Sequence, residues 1–305
     1  MTQRIKDLME ALQNAGGCIA ITGHDAADVD SVAACVLARR LLCALGVPCR
    51  IALSGADKQS RRVMARFGED VEAMIGRTEA GDALLLVDHH QTLRPGRVIA
   101  VIDHHPTDYP PACPFLLIEE RGACAATLLD LMREAGVPVS AQDEELAVTA
   151  LYLDTIALRS TKITKQEAAW GEREAKRLGL DEEWLRREGM RLRDMTLPAR
   201  ELALLGRKVY DFGGVRVLST YVQTDAMTDA RLEEIMSILR AELIAEGAAL
   251  WVYLVHNPMA MRSTQYDLLP DGSVVKTEYD CLVSRGKDVM PRVEKMMRKA
   301  GNGHG

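Results

Sequence analysis

The sequence predicts an α/β protein, with a mainly parallel sheet flanked by helices followed by a smaller α/β domain. Short continuous apolar runs (CIAITGH, VPCRIALSG, ALLLVDHH, RVIAVIDHH, PFLLIEE) alternate with helical patterns through the first half. Runs of this length, bounded by Gly, Pro or polar residues, are the mark of parallel strands covered on both faces. From about 124 to 190 the pattern becomes helical without an intervening strand, and after Arg191 it turns β-rich again. At 305 residues the chain exceeds what one compact core usually serves. Two domains are therefore expected, at 1–190 and 196–300.

Taken in order, CIAITGH is the first strand, and the helix SVAACVLARRLLCALG follows it from near Ser31. The four later apolar runs supply the other strands. ACAATLLDLMREAG, EELAVTALYLDTIAL and TKQEAAWGEREAKRLG place apolar residues at three- and four-residue intervals, as helices with one buried face do. In RKVYDFGGVRVLSTYVQTD a Gly-Gly pair separates two β-rich runs, which predicts a hairpin. A long helix (DARLEEIMSILRAELIAEG), a strand (AALWVYLVHN), a hairpin at LLPDGSVV and a final helix near VMPRVEKMMRKAG complete the second domain. The Gly-rich tail GNGHG is expected to be disordered.

Apolar residues make up 48% and charged residues 27%, the balance of a globular protein with a real core. A net charge of −6 argues against general affinity for nucleic acid, and aromatics at 4% offer no stacking platform for single strands. The three tryptophans read as packing residues. The seven cysteines form no C-x-x-C pair and suit neither a disulfide framework nor a zinc knuckle. They are expected to be reduced, mostly buried thiols. The N-terminus carries charges throughout, and no stretch approaches about 20 apolar residues, so no membrane association and a cytoplasmic location are expected.

Histidine is scarce, yet five of the seven (His24, His89, His90, His104, His105) fall in three segments that each follow a strand-like run. Functional groups in open α/β sheets gather at the carboxyl ends of strands. Singly, Asp28, Asp30 or Ser31 reads equally well as a cap of the helix starting near Ser31. Together, three carboxylate-histidine clusters would repel and raise one another's pKa values unless a cation joined them. Imidazole and carboxylate ligands without thiolates suit Mn²⁺, Co²⁺ or Zn²⁺ better than Ca²⁺. A bridging carboxylate would let two ions sit about 3.5–4 Å apart, where they can deprotonate a shared water and aim it at phosphorus. His256 reads as a core or surface histidine, and Lys162 and Lys165 as solvated loop charges rather than phosphate ligands.

The H-x-x-x-D-x-D-S segment from His24 to Ser31, Asp88 after a later strand, V-I-D-H-H-P from Val101 to Pro106, and Asp154-Thr155 with Ser160 occur in the order found in the DHH phosphoesterase family. Residues 18–190 resemble that family. Cys281 to Lys287 with the following Pro291, and Arg207 to Gly214 with Tyr221-Val222-Gln223-Thr224, resemble the DHHA2 domain of family II inorganic pyrophosphatases and short-chain exopolyphosphatases. The terminal GNGHG is read as an accidental likeness to the G-G-G-H motif of another domain type, DHHA1.

The resemblance implies that His24, Asp28 and Asp88 hold one metal and that Asp30, Asp88, His104 and Asp154 hold the other, with Asp88 bridging. It implies two Mn²⁺ ions, with Co²⁺ or Mg²⁺ as substitutes. His105 would face the substrate, and Asp103 would orient a histidine by accepting its second N–H. Lys208 and Arg285 would neutralise phosphate oxygens, in a substrate-binding set with His105, Ser284 and Lys287. The site would lie between two domains that close, and the assembly would be a homodimer. The implied reaction is hydrolysis of a small phosphorylated substrate, pyrophosphate first, with short polyphosphate or a nucleotide phosphate as alternatives. A non-catalytic phosphate-binding module is the reading from another class. It draws on departures from the pyrophosphatase pattern: Ala26 and Ala27 stand where H-x-N-P-D-x-D has Asn and Pro, and Gly286 replaces a basic residue. His90, where D-H-N-E has Asn, is read as simply following His89.

Overall fold

The computed structural model describes residues 2–301. Of the GNGHG tail, Gly301 ends the last helix, and 302–305 lie outside the described residues. The chain divides into two compact units, one running to Leu158 and including Ile163–Gly189, the other comprising Arg159–Lys162 and the chain from Met190 onward.

The first unit opens with α1 (Gln3–Ala15), whose Ile5, Leu8, Ala11 and Leu12 are buried at three- and four-residue spacing despite charges throughout. Next come β1 (Ile19–Thr22), α2 (Val29–Ala44), β2 (Cys49–Ile51) and α3 (Lys58–Arg66). They are followed by β3 (Ala83–Val87), β4 (Arg97–Asp103) and β5 (Phe115–Ile118). Four helices end the unit's sequence, α4 (Cys124–Ala135), α5 (Ala141–Asp154), α6 (Lys165–Arg177) and α7 (Glu182–Met190). The five strands form one parallel sheet in the order β2-β1-β3-β4-β5. Every residue of β1 and β3 is buried, as continuous apolar runs require. α2 is buried on all sides from Val29 to Ala38 and packs against α4 and α5.

Two features of this sheet position the site. The chain leaves β1 toward β2 on one side and returns as β3 on the other, which opens a crevice at the carboxyl ends of β1 and β3. The register pairs Val87 with Ile102, and Asp88 N–H donates to the Ile102 carbonyl at 3.0 Å, so Asp88 and Asp103 emerge side by side. α2 starts at Val29 with Asp28 as its N-cap, earlier than the expected start near Ser31. α3 is unexpected from the sequence, whereas α7 falls in the stretch read as helical; both are short helices of nine residues.

The second unit holds the short helix α8 (Ala199–Ala203), β6 (Lys208–Asp211), β7 (Arg216–Gln223), α9 (Asp229–Ala245), β8 (Leu250–Asn257), β9 (Arg262–Leu268), β10 (Val274–Tyr279) and α10 (Met290–Gly301). Its sheet runs β10-β9-β8-β7-β6, with only β7 and β8 parallel. The β6–β7 turn needs two left-handed residues, supplied by Gly213 (φ 72°) and Gly214 (φ 85°), and Phe212 N–H closes it on the Val215 carbonyl. Trp251 is fully buried and its indole donates to Thr220 Oγ1 at 2.9 Å, while Trp170 and Trp184 pack against an apolar cluster of the first unit. His256 is buried and bonded to Ser263 Oγ at 2.8 Å, a core histidine.

All seven cysteines are free thiols, but they are not mostly buried: Cys35 and Cys124 are, Cys18 and Cys43 are exposed, and the others lie between. Cys43 sits in the last turn of α2, beyond that helix's last buried residue, Leu42, where an apolar run misleads. Among the described residues no helix is long and apolar enough to cross a membrane.

Candidate metal centre

The first ligand loop leaves β1 through Gly23, where an added Cβ would fall 2.4 Å from Ser31 Oγ and 3.2 Å from Leu53 Cδ2. That close approach lets the His24 N–H donate to Ser31 Oγ at 3.2 Å. Ala26 holds a left-handed conformation (φ 51°), and Ala27 N–H donates to the Gly55 carbonyl at 3.0 Å. The Ala27 carbonyl in turn accepts from Asp57 N–H (3.1 Å) and Ser60 Oγ (3.0 Å). The loop is therefore tied to the 55–60 segment by its backbone.

His24 Nδ1 lies 2.8 Å from the Asp25 carbonyl oxygen. A carbonyl only accepts, so Nδ1 carries a proton, and Nε2 is the nitrogen left to offer a lone pair to a cation. That Nε2 faces Asp28 Oδ2 at 3.3 Å and Asp88 Oδ2 at 3.5 Å. Asp28 does both things open to it: one oxygen caps α2 through Ser31 N–H at 3.1 Å, and the other turns to His24. A lone pair aimed at two carboxylate oxygens is the arrangement a cation relieves.

The second group repeats this logic in a drier setting. His104, fully buried beyond β4, places Nδ1 3.0 Å from the Arg121 carbonyl oxygen. Its Nε2 then faces Asp88 Oδ1 at 3.0 Å, Asp154 Oδ2 at 3.6 Å and Asp30 Oδ2 at 3.7 Å. Asp154 is the last residue of α5. Asp30 lies in the first turn of α2, and its oxygens accept from Cys124 N–H (2.7 Å) and Ala125 N–H (2.9 Å) at the start of α4, where the helix dipole favours an anion. Burial, and then the neighbouring Asp88 carboxylate, push the Asp30 carboxyl well above the usual carboxylate range. A cation offsets both.

Asp88, buried and at φ 61°, points one oxygen into each group. The ligand atoms of His24, Asp28 and Asp88 lie within 4.8 Å of one another, as do those of Asp30, His104 and Asp154. The structure thus brings all six expected metal ligands together. Their imidazole and carboxylate donors fit Mn²⁺ and similar divalent ions.

Asp88, Asp103, His104 and His105 also lie close enough to form a group, but Asp103 is otherwise occupied. Its Oδ1 accepts from His104 N–H (2.7 Å), His105 N–H (3.2 Å) and His105 Nδ1 (2.8 Å), and its Oδ2 accepts from His90 Nδ1 (2.6 Å). Burial opposes its ionisation, yet His105 and His90 hold it well below the usual carboxylate range. Asp103 therefore orients two histidines, neither of them among the six expected ligands; the ligands' second N–H groups go to backbone carbonyls instead. Burial lowers His89 to about 4, so it is neutral.

In the second unit Lys208 begins the edge strand β6. Ser284 is buried and caps the turn Arg285–Val289, accepting Lys287 N–H at 3.1 Å. Arg285 donates to the Gly206 carbonyl at 2.5 Å and lies over the Tyr221 ring at 5.0 Å. Lys287 Nζ donates to the Lys162 carbonyl at 3.1 Å. The sequence reading missed the Asp103 contact of His90 and the anchoring of Asp30 on α4; neither leaves a motif, since both depend on which strand and helix ends meet.

Fold and site together define an α/β protein with two adjoining groups of candidate metal ligands at the switch point of a parallel sheet. Residues 18–158 match the family described as "DHH family, N-terminal domain". Along most of its length the chain is also similar to pyrophosphatases. A protein of Deinococcus radiodurans named "Probable manganese-dependent inorganic pyrophosphatase" is 26% identical over 311 residues, covering 91% of this chain and 98% of its own. The manganese-dependent inorganic pyrophosphatase of Methanocaldococcus jannaschii is 25% identical, covering 90% and 98%. In fold, the chain matches the crystal structure of a Methanococcus jannaschii protein assigned to family II inorganic pyrophosphatases, with a TM-score of 0.74 at 23% identity over 91% of this chain and 98% of that one. The chain is pyrophosphatase-like in sequence and architecture.

Proposed function

We propose that this protein is a manganese-dependent phosphohydrolase that cleaves pyrophosphate to two phosphates. The observation that carries the reading is Asp88 directing one oxygen toward His24 Nε2 and the other toward His104 Nε2, while the Nδ1 of each ring meets a backbone carbonyl. Bound divalent ions would supply Lewis-acid polarisation and a hydroxide at neutral pH. The chain's own residues hold the ligands in their tautomers, bury the centre and keep Asp103 charged against His105. We assign phosphate contact to His105, Lys208, Ser284, Arg285 and Lys287 on the strength of the motif resemblance, with Lys208, Arg285 and His105 offsetting charge on the leaving phosphate. The names of the relatives support manganese and pyrophosphate.

The test is phosphate release by the purified protein with Mn²⁺ from pyrophosphate, tripolyphosphate and phosphoadenosine phosphate. Fastest release from pyrophosphate, reduced in Arg285→Ala and Lys208→Ala, supports the reading. Release from either other substrate but not from pyrophosphate replaces it. Metal and phosphate binding without release from any of the three makes the protein a binding module, for which the departures at Ala26, Ala27 and Gly286 would then account.

A further inference from the structure

We propose that His90 is a positioning residue: its imidazole locks the Asp103 carboxylate so that the other oxygen of that carboxylate holds His105. This rests on the reading of His105 as a phosphate-facing group and extends it one residue back.

Asp103 is wholly buried and ends β4, and His90 lies three residues beyond the end of the neighbouring β3. Oδ2 accepts from His90 Nδ1 at 2.6 Å and Oδ1 from His105 Nδ1 at 2.8 Å, so one carboxylate spans two rings. A carboxylate turns as one rigid plane about a single soft torsion, so a donor on Oδ2 limits the swing of Oδ1 as well. The two backbone N–H donors, of His104 and His105, both sit on Oδ1. Among the described residues, His90 is what restrains Oδ2. Both rings keep some exposure, 13% for the His90 side chain and 15% for His105, whereas Asp103 between them has none. With Nδ1–H fixed on the carboxylate, His105 is held in one orientation beside the fully buried His104 ring, whose centroid is 4.4 Å away.

The side-chain nitrogen of Asn overlays Nδ1 of His, whereas that of Gln overlays Nε2. Three variants therefore separate positioning from any direct role. In the full chain with Mn²⁺, His90→Ala and His90→Gln are expected to lower kcat for pyrophosphate about tenfold, the scale of lost outer-shell partners, while His90→Asn stays within about threefold of the parent. A second readout does not depend on the substrate. With diamagnetic Mg²⁺ in place of Mn²⁺, the hydrogen-bonded Nδ1 proton of His105 should be observed by NMR in the parent and in His90→Asn and be lost in His90→Ala. Its persistence in His90→Ala overturns the proposal, as does a His90→Asn variant as slow as His90→Ala. If the parent releases no phosphate from pyrophosphate while the proton signal follows the expected pattern, the substrate reading fails and the positioning role stands.

Discussion

His104 Nε2 lies 3.0 Å from Asp88 Oδ1 while the opposite nitrogen of the same ring lies 3.0 Å from the Arg121 carbonyl oxygen. One ring nitrogen must carry the proton to meet the carbonyl, which leaves an acceptor facing a buried carboxylate. Without a cation this is a repulsive contact in a low-dielectric setting. Metal binding should therefore stabilise the first unit. At an Mn²⁺ concentration about 100 times its dissociation constant, linkage gives about 2.7 kcal/mol. A rise of roughly 5–10 °C in the melting temperature on adding Mn²⁺, reversed by chelator, is expected by differential scanning calorimetry.

The ligand loop makes opposite forecasts for two adjacent positions. Ala26 is exposed and left-handed (φ 51°), a conformation Asn tolerates better than Ala. Ala26→Asn should stabilise the protein by roughly 0.5–1 kcal/mol. Ala27 donates its N–H to the Gly55 carbonyl, and proline has no N–H to give. Ala27→Pro should cost about 1–3 kcal/mol. Urea midpoints of the two variants check both signs, although each restores a letter of the pyrophosphatase pattern.

At Gly23 the absent side chain matters more than the backbone. A methyl group 2.4 Å from Ser31 Oγ would displace the hydroxyl that accepts the His24 N–H. Gly23→Ala should cost roughly 1 kcal/mol of stability for the lost bond and weaken Mn²⁺ binding about tenfold, the scale seen when support for a ligand is lost. Calorimetric titration of Mn²⁺ into the variant reads the second effect directly.

The second unit carries a pH dependence of its own. Burial, and then the Arg285 charge, lower His256 from 6.5 to about 4. Between those values the unfolded chain binds a proton that the folded one does not, so stability is complete above about pH 6.5 and falls as the pH drops toward 4. At pH 5 this amounts to about 2 kcal/mol. His256→Asn, which keeps a donor for Ser263, should flatten that part of the urea-midpoint profile between pH 7 and 5.

Much of the fold was legible because its strands are buried on both faces and so read as unbroken apolar runs, as in Ala83–Val87. The Gly213-Gly214 turn was legible because two left-handed residues in succession require glycine there. α1 was less so: its charges drew notice as the absence of a membrane signal, while Ile5, Leu8 and Leu12 quietly form its buried stripe. The ligand residues stand in short clusters at strand ends, where spacing alone speaks. What holds them does not: the Asp103 bonds to His90 and His105 follow from the β3–β4 register, and the Asp30 bonds follow from where α4 begins. Cys43 was misjudged because a helix buried on nearly all sides through Leu42 ends in an exposed turn.

The central claim is that Asp88 bridges two cations. Equilibrium Mn²⁺ binding to the purified chain, measured beside Asp88→Ala, tests it most directly. Two ions per chain are expected in the parent, with a loss of affinity at both sites in the variant. A parent that binds one ion or none, or a variant that loses one site and retains the other at full affinity, would contradict it.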